Sequence, residues 1–257
     1  MRIAAFQMEA KSGNQRLNVA RITRAAEEAA ARGAKLLMTP ELALQGYGAG
    51  DDLRALACPA DGEMIEELNR ISRKNNIALL VGFAEVAENA IYNSAAFVDG
   101  RNRPTIYRKS HLYGHFERAL FRAGEPIACI VSCGGLKIGI LICYDVEFPE
   151  NVRRLAQSGA QLVAVPTALP KTGHPELIAR KMIPVRAFEN QIFVAYVNYC
   201  GADKLFSYAG LSAIAAPDGR LLAEADAHSE TLIFADIAPE AFAESAAANP
   251  YLRDLRT

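Results

Sequence analysis

The sequence has no apolar run approaching the roughly 20 residues that a bilayer-crossing helix needs, no excess of either charge, no Cys-x-x-Cys or His-Glu-x-x-His word, and no linker, repeat or low-complexity tract. Each absence removes a class of function. No segment suits a membrane-spanning helix. With 28 Lys plus Arg against 29 Asp plus Glu, no concentrated basic surface is implied, so nucleic acid is not an expected partner. The four histidines are dispersed and the metal-binding words are missing, so neither a structural nor a catalytic metal is expected. Five cysteines (Cys58, Cys129, Cys133, Cys143, Cys200) are an odd count without a framework, which reads as free thiols in a reducing compartment. Met1 to Met8 reads as a short strand and not as an export leader. A cytoplasmic protein is expected.

What remains is ordinary globular material: 51% hydrophobic and 22% charged residues. A chain of this length buries roughly three quarters of the surface it exposes when unfolded, so a large rigid core is available, and residues 1–257 read as one domain. Ile3 to Met8 predicts a strand. Asn14 to Arg32 predicts a helix, with Leu17, Val19, Ile22, Ala26 and Ala29 near helical spacing and Gly33 as its stop. Lys35 to Thr39 predicts a buried strand. Asp61 is placed to cap a helix running to Asn75 with Ile65, Leu68 and Ile71 inward, followed by the strand Ile77 to Phe83. Ile91 to Val98 and about Pro104 to Arg108 form the arms of a hairpin around Asp99-Gly100. Ile127 to Ser132 and Leu136 to Ile142 turn at Gly134-Gly135. Pro149 suits the first position of a helix ending at Gly159, which delivers the strand Gln161 to Val165. Pro175 to Asn190 is helical in pattern with Pro184 inside it, which predicts a kink or two short helices. Strands at Ile192 to Asn198, Ala209 to Ala215, Arg220 to Ala223 and Thr231 to Asp236 complete the chain. So many strands, with helices between only some, predict mixed sheets stacked face to face and covered by helices, an α/β fold of four layers.

Three reactive side chains follow strands: Glu41, Lys109 and Cys143, in the position where such folds place ligands. A cysteine at a sharp strand-to-helix junction gains from backbone N–H groups that favour thiolate and later hold an oxyanion. A free thiol, with a pKa of about 8.5, is little ionised at neutral pH and needs a base or a cation beside it. Glu41 fits the base if an apolar or anionic setting raises its pKa. Lys109 fits a fixed charge for the oxyanion. From spacing alone, a solvated Glu, a surface Lys and a core Cys remain open alternatives.

The words around these residues resemble those of the nitrilase superfamily of carbon–nitrogen hydrolases. Thr39-Pro40-Glu41 with Gly46-Tyr47 is similar to its glutamate motif, Tyr107-Arg108-Lys109-Ser110-His111-Leu112 to its lysine motif, and Ile142-Cys143-Tyr144-Asp145-Val146-Glu147-Phe148-Pro149-Glu150 to its nucleophile elbow, in the same order and with similar separations. The resemblance implies an αββα sandwich with two mixed sheets, a thioester acyl-enzyme on Cys143, Glu41 as general base, Lys109 with the Tyr144 N–H as oxyanion hole, and no cofactor or metal. It also implies that Glu117 is the second glutamate beside the nucleophile; a surface helix residue is the alternative. A homodimer is implied through Pro149 to Ser158, Pro175 to Asn190 and the tail, about 238–257, with Tyr251-Leu252.

Within the family the likeness is to amidases of aminovaleramide, other amino-acid amides and small aliphatic amides. A nitrilase, an N-carbamoyl hydrolase and a catalytically silent binding protein are the alternatives. Four places after the nucleophile, members that hold carboxylate-bearing substrates often carry Arg, whereas this chain has Glu147. A carboxylate there repels an anionic substrate and tolerates a neutral or ammonium-bearing one, unless Glu147 pairs with Arg153, Arg154 or another local cation. Tyr47, Tyr113, Tyr144 and Thr167 are further candidates for the substrate pocket.

Overall fold

The computed structural model describes residues 1–256. Its strands are β1 (Arg2–Glu9), β2 (Leu36–Met38), β3 (Ala78–Ala87), β4 (Ala90–Val98), β5 (Thr105–Arg108), β6 (Ile130–Cys133), β7 (Leu136–Ile140), β8 (Leu162–Pro166), β9 (Phe193–Val197), β10 (Tyr199–Cys200), β11 (Ala213–Ala215), β12 (Leu221–Glu224) and β13 (Thr231–Asp236). The helices are α1 (Gln15–Ala31), α2 (Asp52–Leu56), α3 (Glu63–Asn75), α4 (Gly114–Leu120), α5 (Pro149–Gln157), α6 (Pro175–Leu177), α7 (Ile183–Asn190), α8 (Ala243–Ala248) and α9 (Tyr251–Asp254).

They form two mixed sheets. One runs β10-β1-β2-β3-β4-β5, with β13 antiparallel to β1; the other runs β12-β11-β9-β8-β7-β6. Strands β1, β2 and β3 are parallel, as are β7, β8 and β9, and the hairpins lie at the sheet edges. The alternation of side chains explains why the parallel strands read as continuous apolar runs. Ile3, Ala5, Leu36 and Met38 face the core between the sheets, while Ala4, Phe6 and Leu37 face the helix layer with Ile22 and Leu68. Helices α5 and α7 cover the second sheet through Val152, Leu155, Ile183 and Ala187. This is the αββα sandwich.

Local differences from the sequence reading have identifiable causes. Leu17 is exposed because Asn18 takes the inward place on the first turn of α1, its amide donating to Lys11 O and Leu44 O. Asp61 does not cap α3; Gly62 holds the cap position without a side-chain bond. Strands β3 and β4 form a hairpin whose two turn residues, Glu88 and Asn89, both have positive φ, a conformation that Asn-Gly would have advertised and Glu-Asn does not. Between α6 and α7, Ile178–Met182 forms a π-helical turn. It leads into the helix that contains Pro184, so the missing N–H of that proline is absorbed without a break.

One glycine decides where the sheet meets the site. Thr39-Pro40-Glu41 leaves β2 and crosses β3 at Gly82, where a Cβ would stand 2.5 Å from both Leu42 N and Pro40 O and 2.8 Å from Glu41 Cα. All three atoms are backbone, so no side chain can swing aside. Gly82→Ala is expected to push the Glu41 segment outward, costing about 1–3 kcal/mol of stability and most of the turnover. Thermal unfolding and an activity assay check this; a variant with unchanged melting temperature and rate would contradict it.

Candidate active site

Cys143 stands where β7 ends and the chain turns into a 3₁₀ turn (Cys143–Glu147) and then α5, which begins at Pro149. Its φ of 45° is left-handed, a conformation that costs a non-glycine residue about 1–3 kcal/mol and aims the side chain off the strand end. The thiol is buried. Burial pushes its pKa well above the ordinary thiol value, Glu41 adds to the rise, and Lys109 with a hydrogen bond from the Ala168 backbone oppose it. The Tyr144 N–H lies in the first turn, where backbone donors lack intrahelical partners.

Lys109 follows β5 and is held by backbone bonds from its N–H to Asn93 O and to its carbonyl from Gly124 N–H, each 2.8 Å. Its ammonium is wholly buried and donates to Glu41 Oε1 at 2.6 Å and to Glu117 Oε1 at 2.7 Å. Glu117 lies in the first turn of α4. It also accepts from Tyr47 Oη at 2.7 Å and from Tyr113 N–H at 2.8 Å. Glu41 accepts from Asn93 Nδ2 at 2.7 Å on the oxygen that meets Lys109, while Oε2 has no partner. Both oxygens of Glu117 are thus occupied and one of Glu41 is free. That asymmetry makes Glu41 the carboxylate able to exchange a proton. Its pKa is raised from 4.5 to about 7 because burial disfavours the charge and Glu117 adds repulsion, against the pull of Lys109. The Lys109 pKa is held well above its ordinary value by Glu117 and Glu41, which overcome its burial.

A second buried carboxylate ties the lysine segment to the elbow. Asp145 accepts from Tyr107 Oη at 2.9 Å, Ser110 Oγ at 2.8 Å, His111 N–H at 2.8 Å and Ile142 N–H at 3.1 Å. The His111 ring is also 3.0 Å from it and stacks on Phe148. Glu41 is fixed to the other sheet, its N–H donating to Thr167 O at 3.3 Å. The site therefore sits where the ends of both sheets are sewn together.

The structure brings Glu41, Lys109 and Glu117 into direct contact and sets Cys143 within electrostatic reach of all three. Tyr47 is buried against Glu117. Tyr113, half-exposed, stacks edge-on to Tyr144, and with Tyr47, Phe116, Ala168, Phe206 and Tyr208 lines a cavity of about 260 Å³ that adjoins the site through Tyr47. The Thr167 hydroxyl donates to Val165 O. Glu147 pairs with neither Arg153 nor Arg154: among the described residues its carboxylate has no hydrogen-bond or ion-pair partner, and Arg186 is bonded to the carbonyls of Val146 and Glu147 and to Glu189. Burial raises the Glu147 pKa above its ordinary value, against Lys109 and Arg186.

Sequence reasoning missed Asn93 and Asp145. Asn93 was legible as the one amide in the apolar run Ile91 to Val98. Asp145 lay inside the elbow words without a partner to suggest its task. Among the described residues no group of three His, Cys, Asp or Glu side chains is arranged to hold a metal; between Glu41 and Glu117 the place of a cation is taken by Lys109.

A buried thiol on a strained elbow, with a carboxylate of raised pKa and a fixed ammonium, is the apparatus of a cysteine-dependent hydrolase. The sequence profile of the carbon–nitrogen hydrolase family matches residues 2–247, and the chain belongs to that family. It is 41% identical, over all of its length and 89% of the relative's, to a protein of Pseudomonas protegens described as a hydrolase in the pqqF 5′ region. It is 36% identical to an (R)-stereoselective amidase from Pseudomonas sp., across 88% of this chain and 81% of that one. A solved amidase from Nesterenkonia sp. AN1, carrying acrylamide added at its active-site cysteine, superposes with a TM-score of 0.88 at 34% identity, covering 100% of this chain and 96% of that one.

The Glu41 shift has a sign. If Glu41 is the base, only its ionised form serves, and kcat/KM is expected to fall tenfold per unit as pH drops below about 7. Because the fold holds this proton more tightly than the unfolded chain does, the same group's contribution to stability falls as pH rises from 4.5 to about 7. A pH–rate profile checks the first statement; an acid limb near 4.5 would contradict it.

Proposed function

We propose that the protein hydrolyses the C–N bond of a small aliphatic or amino-acid amide to carboxylate and ammonia through a thioester on Cys143. The observation that carries this reading is the Lys109 ammonium locked between Glu41 and Glu117 beside a thiol on a strained elbow. Glu41 takes the thiol proton as sulfur attacks the amide carbon, and the tetrahedral oxyanion faces Lys109 Nζ and the Tyr144 N–H. The proton passes from Glu41 to the nitrogen, the C–N bond breaks and ammonia leaves. Water then gives a proton to Glu41 and its oxygen to the carbonyl carbon; the C–S bond breaks and the thiol is restored. Glu117, held by three donors, fixes Lys109 and presents Tyr47 and Tyr113 to the substrate. The two amidases among the similar proteins support an amide in preference to a nitrile or a carbamoyl group. The unpaired carboxylate of Glu147 favours a neutral or cationic acyl group.

The whole chain acts as this one catalytic domain, and its five cysteines, free among the described residues, suit the cytoplasm. No helix of the described residues is long and apolar enough to cross a membrane. The unit of function is a homodimer. Leu177, Val185 and Tyr251 expose about half of their apolar surface on the α6–α7 face and the adjoining tail, where Tyr251 packs edge-on to Phe188. The tail's final residue, Thr257, lies outside the described residues.

Ammonia release is expected from aminovaleramide and far less from glutaramate, and Cys143→Ala is expected to abolish both while leaving the circular dichroism unchanged. Activity surviving in Cys143→Ala would sink the mechanism, and a preference for glutaramate would sink the charge argument. Light scattering is expected to give twice the 27.8 kDa chain mass, reduced to one chain by Val185→Glu; a wild-type monomer at micromolar concentration would contradict the dimer.

A further inference from the structure

Tyr196 carries a polar group that the proposed reaction does not use. It sits on β9 opposite Val165 of β8. The preceding pair, Ala195 and Ala164, is level with Ile140 of β7, so Tyr196 lies beside the last residues before the nucleophile. The side chain is wholly buried, and among the described residues its hydroxyl has only the Thr167 hydroxyl beside it, too poorly placed for a full hydrogen bond. The Thr167 hydroxyl alongside it is already donated to Val165 O. A buried phenol left unpaired costs stability, and such a group persists in a site when something else completes it.

The titratable groups that weigh most on it are Cys143, Glu147 and Glu41; the nearest cation to these, Lys109, is bonded to Glu41. Glu147 adds a carboxylate without a partner on the turn that starts at the nucleophile. A hydroxyl, able to donate and to accept, and a carboxylate acceptor therefore lie in the neighbourhood of Cys143. The nearby cations are committed: Lys109 to Glu41 and Glu117, Arg186 to Glu189 and two carbonyls. A carboxylate-bearing acyl chain would meet Glu147 with like charge. A methyl-ended chain would dry both groups without pairing them. A chain ending in N–H donors gives both the carboxylate and the phenol oxygen a partner, and leaves the phenol O–H free to donate to Glu147.

We propose that Tyr196 and Glu147 together read a hydrogen-bond-donating group, in the first place an ammonium, on the acyl part of the substrate; this rests on the amidase reading and narrows its substrate class. Tyr196 is the specificity-determining residue that the sequence did not announce, and Glu147 supplies the charge. A neutral phenol accepts one ammonium hydrogen and the carboxylate accepts another, while the amide carbon stays over Cys143.

The test compares aminovaleramide with hexanamide, which replaces the ammonium by a methyl group, in wild type, Tyr196→Phe and Glu147→Gln. In both variants the ratio of kcat/KM for aminovaleramide to that for hexanamide is expected to fall about tenfold or more, the loss of one hydrogen bond to a charged group, and chiefly through KM. An unchanged ratio, whether both substrates suffer equally or neither does, overturns the proposal. Calorimetric binding of the two amides to Cys143→Ala and to Cys143→Ala/Tyr196→Phe needs no turnover. There the added substitution is expected to weaken aminovaleramide selectively; equal weakening overturns the pairing. If the wild type hydrolyses neither amide but Cys143→Ala still prefers aminovaleramide through Tyr196, the reaction assignment fails and the binding assignment stands.

Discussion

The ammonium of Lys109 has no access to water, and everything around it follows from what a buried charge requires. Moving one ion from water into a protein interior costs several kcal/mol unless partners of opposite charge are already in place. Glu41 and Glu117 are those partners, at 2.6 and 2.7 Å. Two carboxylates and one ammonium leave an excess negative charge, and the excess falls on the carboxylate with fewer donors. Glu117 is held by Lys109, Tyr47 and Tyr113; Glu41 keeps one oxygen free. The same imbalance that would weaken an ordinary ion pair raises the Glu41 pKa to about 7 and holds the Lys109 pKa well above its ordinary value.

The two sheets together bring that cluster within electrostatic reach of the thiol. Glu41 comes from the end of β2, Lys109 from β5, and Cys143 from the end of β7 in the opposite sheet. The closeness of the Glu41 segment to β3 depends on Gly82 having no side chain. The bond from Glu41 N–H to Thr167 O and the Asp145 cluster sew the sheets together on either side of Cys143. Strain is concentrated at the same place: Leu42, next to Glu41, and Cys143 itself both have positive φ. Such conformations persist where surrounding bonds over-determine them.

How much of this was legible depended on range. The elements of β1, α1, β7, α5 and β8 were written in local pattern, because alternating or helical burial leaves a mark on neighbouring residues. The convergence of Glu41, Lys109 and Cys143 was legible through resemblance, since these residues gain meaning only when three distant segments are read together. The partner of Glu147 could not be read, because choosing among Arg153, Arg154 and substrate needs the direction of side chains on a turn. Tyr196 was hidden for the opposite reason: in a buried strand a tyrosine looks like apolar packing, and only the missing partner of its hydroxyl marks it out. The cap of α3 and the Glu88-Asn89 turn were lost to backbone geometry that their residue types do not specify.

We propose that one buried cation organises base and oxyanion site together. Lys109→Met keeps the length of the side chain and removes the charge, so the direct measurement is the rate of amide hydrolysis by this variant under conditions where circular dichroism shows it folded. The account requires a fall of about a hundredfold or more, the loss of a fixed donor at the oxyanion. A folded Lys109→Met protein turning over its amide at close to the wild-type rate would contradict it.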